Sequence, residues 1–306
     1  DMHRSSRAVL IWVGTLLCVA ACAPDGGGAG AGVAVGDGTS AGGSAVARSG
    51  TAEAPTPAPL GGEAAGRIGE LPTADPFARG LGHDDFPRVT EIAPGVFTWE
   101  QLRSAGEEWF TTVSLFVVGD EGVLVADGQG NVEETQRLLD HIAVTHALPV
   151  THLVIGSDHG DHTGGNEAFP DDLRIFAHPR SDAQLRAADR APATDLVHTA
   201  TRVDFSGHTI DLLYLGPAHT GGDLVVHLPE PGVLFMSEAY LHRVFPAMRS
   251  ACPTGWASML ERAQLLDAEI PVPGHGFIDA PGVLVAELDT FREAVLAVVA
   301  EGRRLY

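Results

Sequence analysis

The densest concentration of reactive side chains is Val154-Ile155-Gly156-Ser157-Asp158-His159-Gly160-Asp161-His162-Thr163-Gly164-Gly165-Asn166. An apolar stretch runs straight into a glycine-punctuated loop rich in imidazole and carboxylate. A metal site needs several such donors converging, and loops at strand ends are where a rigid sheet can aim them. A lone His-x-Asp-His reads equally well as surface decoration. Two more histidines, each in its own glycine-rich turn, argue against that: His219 in Gly216-Pro217-Ala218-His219-Thr220-Gly221-Gly222-Asp223, and His275 in Pro271-Val272-Pro273-Gly274-His275-Gly276. The chemistry implied is that of a bound divalent metal.

Such turns need strands behind them. Alternating or continuous apolar runs predict strands at Val89–Ile92, Val96–Trp99, Thr112–Val118, Val123–Ala126, His152–Ile155, Leu173–Ala177, Thr209–Leu215, Leu224–Leu228 and Val233–Met236. Asn131 is placed to cap a helix running to about His146. Trp256, Met259, Leu260 and Ala263 recur at helical spacing, and so do Leu284, Leu288, Phe291, Val295 and Val298. Strands in groups, with helices between and after them, predict an α/β fold of sheets covered by helices.

The first seventy or so residues differ in kind. Met2 to Arg7 carries two arginines and no acid, and an apolar run from Ala8 to Ala21 follows. That is the pattern of a secretory signal peptide, too short for a convincing transmembrane helix. Its end, Val19-Ala20-Ala21-Cys22, resembles the lipobox of bacterial lipoproteins, which implies cleavage before Cys22 and lipidation of that cysteine. Residues 23–75 are dominated by Gly, Ala, Ser, Thr and Pro, a composition that cannot offset its own ordering entropy and reads as a tether. The expected organisation is therefore a signal segment over 1–22, a tether over 23–75 and one folded domain over 76–306. The expected location is the periplasmic side, as an outer-membrane lipoprotein, with the lipid as the only membrane contact. A net charge of -21 repels phosphate backbones, so nucleic acid is a poor partner. Cys252 is the only cysteine within the domain, which excludes a disulfide internal to it, and it reads as part-buried and apart from the metal set. Nothing in the residues speaks to oligomeric state.

The motifs together resemble the metallo-β-lactamase superfamily, from about Pro87 to the last helix. That family carries His-x-His-x-Asp-His followed by Gly-Gly, then a Gly-His-Thr-x-Gly histidine, an acidic residue closing a Leu-Phe-x-Gly-Asp strand, and a Pro-Gly-His turn. The resemblance implies a four-layer αββα sandwich with metals at one edge of its two sheets. It implies His159, Asp161, His162, His219, Glu238 and His275 as ligands, and Asp127 as an aspartate supporting them. Two departures stand out. Ser157 occupies the place of the first histidine, and Glu238 in Phe235-Met236-Ser237-Glu238 that of the bridging aspartate. Ser157 is at most a weak ligand, so one metal position keeps His159 and His219, while the other retains Asp161, His162 and His275. One tightly held metal and a weaker second one are expected. Zinc suits this mixture of donors, and Fe or Mn fits it too.

By the same resemblance, replacement of the first histidine argues against the iron persulfide dioxygenases of the family. The absence of an insertion between Glu238 and His275 argues against its RNA-processing members. The expected activity is hydrolysis of a small-molecule lactam, lactone, ester or thioester by metal-bound hydroxide, with Asp161 orienting it and handling its proton. The alternative is a metal-binding lipoprotein that has lost catalysis and serves as a binding or delivery module. His242 is expected to line the pocket, with Tyr240, Arg243 or Phe245. Trp109 and Phe110 are expected in a substrate-covering loop before their strand. His178, His198, His208 and His227 read as structural or solvated.

Overall fold

A computed structural model describes residues 73–205 and 207–305. The signal segment, Cys22 and all but the end of the tether lie outside the described residues. Seven strands form the first sheet in the order β1-β2-β3-β4-β5-β6-β7: Arg88–Ala93, Val96–Ala105, Glu108–Val118, Val123–Ala126, Val150–Val154, Arg174–Ala177 and Asp195–Leu196. Five form the second, in the order β12-β11-β10-β9-β8. In chain order these are β8 (Ala200–Phe205), β9 (His208–Leu213), β10 (Val225–Leu228), β11 (Val233–Phe235) and β12 (Ile270–Val272). The helices are α1 (Val132–His146), α2 (Gly160–Thr163), α3 (Pro179–Ala187), α4 (Pro253–Gln264) and α5 (Pro281–Leu305).

Successive strand residues face opposite sides, and that alternation builds the layers. Val113, Leu115 and Val117 of β3 face the second sheet, meeting Ile210, Leu212, Val226 and Phe235 in one buried cluster. Phe116 faces the other way, onto Leu138 and Ile142 of α1. On the far side, Val225 and Leu234 pack against Trp256, Met259 and Leu260 of α4 and Leu288, Phe291 and Val295 of α5. The result is the expected αββα sandwich.

Local chemistry agrees with these elements. The Asn131 side chain accepts the Glu134 N–H at 2.9 Å, satisfying one of the unpaired donors at the start of α1. That helix ends at Ala147, whose φ of 54° is left-handed. Among the described residues no helix is long and apolar enough to cross a membrane.

Five elements go beyond the sequence reading: α2, β7, β8, α3 and β12. The hairpin of β2 and β3 is also longer than expected, paired out to Ala105 and Glu108 around Gly106 at a φ of 64°. Trp109 and Phe110 therefore belong to β3 and not to a loop before it. Trp109 packs edge-on to Phe77 and His83, with ring centroids 5.3 and 5.1 Å away. Backbone pairing along the hairpin overrides the loop assignment.

Candidate metal centre

Every candidate ligand sits just past a strand, at one edge of the sandwich. β5 leads into Ser157, His159 and the single turn of α2, which carries Asp161 and His162. His219 lies in the turn between β9 and β10, Glu238 in a 3-10 turn after β11, and His275 in the loop after β12. Two positions show why glycine punctuates these turns. A side chain at Gly156 would press within 2.7 Å of Ser237 Cβ. Gly276 has a φ of 96°, and a Cβ there would lie 2.2 Å from the His242 carbonyl oxygen.

Asp127 organises the centre. It follows β4 in a left-handed conformation, φ 63°, and is fully buried. One carboxylate oxygen accepts the N–H groups of Gly156 and Ser157, at 2.7 and 3.3 Å. The other accepts the Ser237 hydroxyl at 2.5 Å and faces His162 Nδ1 at 3.1 Å. A proton on Nδ1 donated to Asp127 leaves His162 Nε2 bare and pointing inward. His275 follows the same logic: Nδ1 donates to the Thr111 carbonyl at 3.0 Å, and Nε2 faces the cluster.

Two donor groups result. Asp161, His162, Glu238 and His275 form one, and His159, His219 and Glu238 the other; within each, one donor atom per residue lies within 4.8 Å of the rest. His275 Nε2 is 3.3 Å from both Asp161 Oδ2 and Glu238 Oε1. Glu238 is 4% exposed and divides its oxygens between the groups. Oε1 faces His275 at 3.3 Å and His219 Nε2 at 3.5 Å, while Oε2 faces His159 Nδ1 at 2.7 Å.

Ser157 sits against Glu238, the residue that the two groups share. Its hydroxyl donates to Glu238 Oε2 at 2.5 Å, in a fully buried position. It holds the carboxylate of a candidate ligand in place. His242 stays outside both groups. It lies behind His275: its backbone N–H donates to the His275 carbonyl at 2.9 Å, and its Nδ1 donates to the Phe277 carbonyl at 2.8 Å. The extended backbone after Tyr240 turns its side chain away from Glu238. Tyr240 donates to the Leu284 carbonyl, Arg243 pairs with Glu287, and Phe245 projects outward, 73% exposed. Cys252 is buried and outside both groups, and His178 stacks on Tyr214 with centroids 3.9 Å apart.

Sequence reasoning missed three supporting residues. Ser250 meets His159 Nε2 at 2.8 Å, so Nδ1 is the nitrogen left for the cluster. Ser237 holds Asp127. Asp223 accepts the Thr220 and Ala218 N–H groups, at 2.8 and 3.3 Å, and so shapes the turn carrying His219.

The electrostatics are those of carboxylates arranged around a positive charge. Burial disfavours the His159 cation, but the hydrogen bond and charge of Glu238, with Asp158 and Asp161, outweigh it and carry the imidazole up to about 9. Burial likewise opposes charge on His275, and Asp161 and Glu238 lift it to about 10. For Asp161 and Glu238 burial favours the neutral acid, yet the surrounding histidines hold both carboxyls well below their usual range. His219 goes the other way: burial lowers it to about 4, a neutral imidazole ready to donate a lone pair. Four imidazoles and two carboxylates in this arrangement fit a borderline divalent cation such as Zn²⁺.

No family model matches the chain. Over 206 residues, 61% of this chain, it is 28% identical to the 2,4-dinitroanisole O-demethylase subunit alpha of Nocardioides sp. (strain JS1661), and the match spans 61% of that relative's own length. Over 214 residues it is 25% identical to a metallo-beta-lactamase type 2 of Bacillus sp. (strain 170), covering 67% of this chain and 82% of that one. Its fold is that of a solved metallo-beta-lactamase from Pontibacter korlensis, with a TM-score of 0.61 at 22% identity over 66% of this chain and 98% of the other. Sequence relatives and structural neighbours together support placing this chain in the metallo-β-lactamase superfamily.

Proposed function

We propose that the chain is a metal-dependent hydrolase acting on a small carboxylic derivative: a lactam, lactone, ester or thioester. The observation that carries this reading is the pair of donor groups at the strand ends, joined through the two oxygens of Glu238. Asp161, His162, Glu238 and His275 would hold one zinc tightly. His159 and His219, with Glu238 shared, would hold a second more weakly.

Bound zinc would lower the pKa of a coordinated water toward ~7 and polarise the substrate carbonyl. The protein's own part is positioning. The two members most open to solvent are Asp161 and His159, with side chains 30% and 28% exposed, so substrate and water approach between them. The Asp161 carboxylate is the acceptor there for a proton from the attacking water. Asp127 and the Thr111 carbonyl fix the tautomer of the neutral imidazoles of His162 and His275, so that their inward nitrogens are the ones offered to a metal. Export and attachment through Cys22 belong to the same proposal and rest on the sequence alone.

The test is turnover by the zinc-loaded chain against chromogenic lactams, lactones, esters and thioesters. A nitroaryl methyl ether joins the panel because one relative is a dinitroanisole demethylase. Activity lost in Asp161→Asn, with the fold intact, is the expected result. A folded, zinc-loaded chain inert toward the whole panel would instead support the binding or delivery module.

A further inference from the structure

A cavity of about 390 Å³ lies outside both donor groups, where the first sheet loses its edge strand. β1 pairs with β2 only as far as Glu100. Beyond that, Gln101 and Arg103 of β2, Glu134 and Arg137 of α1, Trp109 of β3 and Phe86 border an open space.

Three features of this space specify a ligand. The first is charge. Glu134 neutralises Arg103 at 2.7 Å, whereas Arg137 pairs loosely with Glu133 at 3.7 Å, in a contact open to solvent because Glu133 is 85% exposed. An exposed pair of this kind is weak, so the Arg137 guanidinium can turn toward a monoanion that enters the cavity. The second is an unmet hydrogen bond. Gln101 is 6% exposed, and its buried Oε1 has no partner among the described residues. Buried amide oxygens are nearly always paired, and a half-turn of the Gln101 amide about its last bond exchanges the oxygen and nitrogen and brings the oxygen to the cavity that the residue lines, where a ligand can supply the donor. The third is the wall formed by Trp109, braced by Phe77 and His83. An indole held this way presents a rigid apolar surface suited to a ring. The volume is that of an ordinary small-molecule pocket.

We propose that this cavity binds a small aromatic monocarboxylate carrying a hydroxyl or amide N–H, independently of the metals. The carboxylate meets Arg137, the donor meets Gln101, and the ring lies against Trp109. Arg103 Nε is 3.4 Å from Thr112 Oγ1, which in turn is 3.5 Å from His275 Nδ1. A single layer of side chains therefore separates the ligand from the metal centre.

The probe is 4-hydroxyphenylacetate, titrated into the full chain and followed by calorimetry and ligand-observed NMR. Saturable binding is expected, weakened about tenfold or more in phenylacetate, which lacks the hydroxyl, and in 4-hydroxyphenylethanol, which lacks the carboxylate. Gln101→Leu and Arg137→Gln should each weaken binding by a similar factor. Gln101→Leu should also raise the melting temperature, because it removes an unpaired buried polar group, and this separates lost binding from lost fold. Binding should survive removal of metal by a chelator. No saturation by 10 mM, indifference to both variants, or loss of binding on metal removal would each overturn the proposal.

Discussion

Ser157→Ala tests the role the structure gives to the residue replacing a histidine. The substitution deletes the O–H donor to Glu238 and the weaker acceptor for the His159 N–H, at 3.3 Å, and leaves the backbone hydrogen bond to Asp127 in place. Glu238 Oε2 then keeps only His159 as a close partner. A hydrogen bond to a buried charged group contributes about 1.5–3 kcal/mol. Loss of a partner that orients a metal ligand typically weakens metal binding by about 10–100-fold, or about 1.4–2.7 kcal/mol, and the two scales agree. The loss should fall mainly on the His159, His219 and Glu238 group, which Oε2 serves. The other group retains Asp161, His162 and His275 and should change by less than about threefold. Competition with a chromophoric chelator resolves the two zinc constants in wild type and variant. Ser157→Thr, which keeps a hydroxyl, should restore most of the second affinity. Equal weakening of both constants, or no change in either, would refute the assignment of Ser157 as the residue that orients Glu238.

Ser157→His combined with Glu238→Asp withdraws the carboxylate from the space the imidazole needs and supplies a third imidazole beside His159 and His219, so zinc retained after dialysis against a mild chelator should rise from one equivalent toward two. Glu100 is fully buried, and burial lifts its carboxyl from 4.5 to about 7, against the opposing charge of Arg88. The folded chain therefore keeps a proton that the unfolded chain loses between these values, so stability from this group is full below pH 4.5 and falls by about 3 kcal/mol as pH rises to 7. Glu100→Gln should flatten that part of the profile measured by urea unfolding, and parallel slopes would count against it. Trp256 is fully buried, donates to the Ala239 carbonyl at 2.8 Å and packs edge-on to His219, so Trp256→Ala should cost about 3–5 kcal/mol in the same assay. Cys22→Ser should release the protein from membranes or block its processing, and an unchanged membrane fraction would count against lipidation.

The donor cluster was legible because donors at strand ends leave a local signature, with His and Asp at short spacing among glycines. The Asn131 cap and the apolar faces of α4 and α5 were legible for a similar reason, since their periodicity is contained within one element. What escaped reading depends on distant partners or on weak apolar content. In β8 only Val203 and Phe205 are buried, so the strand looks polar. β12 contains Pro271, which reads as a break; as the edge strand of its sheet, β12 can accommodate a proline. α3 buries Ser181, Asp182 and Leu185, too little apolar surface to show a face. Ser250 lies 91 residues from His159, and Thr111 lies 164 from His275, so neither contact leaves a trace in local spacing.

The two departures from the family pattern make the same point most sharply. In sequence they read as independent defects, a ligand lost at 157 and a ligand lengthened at 238. In the fold they form one contact: Ser157 and Glu238 are 81 residues apart and joined at 2.5 Å. The short serine leaves room that a histidine would fill, and the extra methylene of glutamate lets its carboxylate reach into that room. Oε2 thereby approaches His159, while Oε1 stays between His219 and His275. The donor removed at one position is thus replaced by an oxygen from the other, held in place by the hydroxyl that the substitution introduced. On this geometry the two departures are one exchange of donor for donor, through which Glu238 belongs to both groups of the centre.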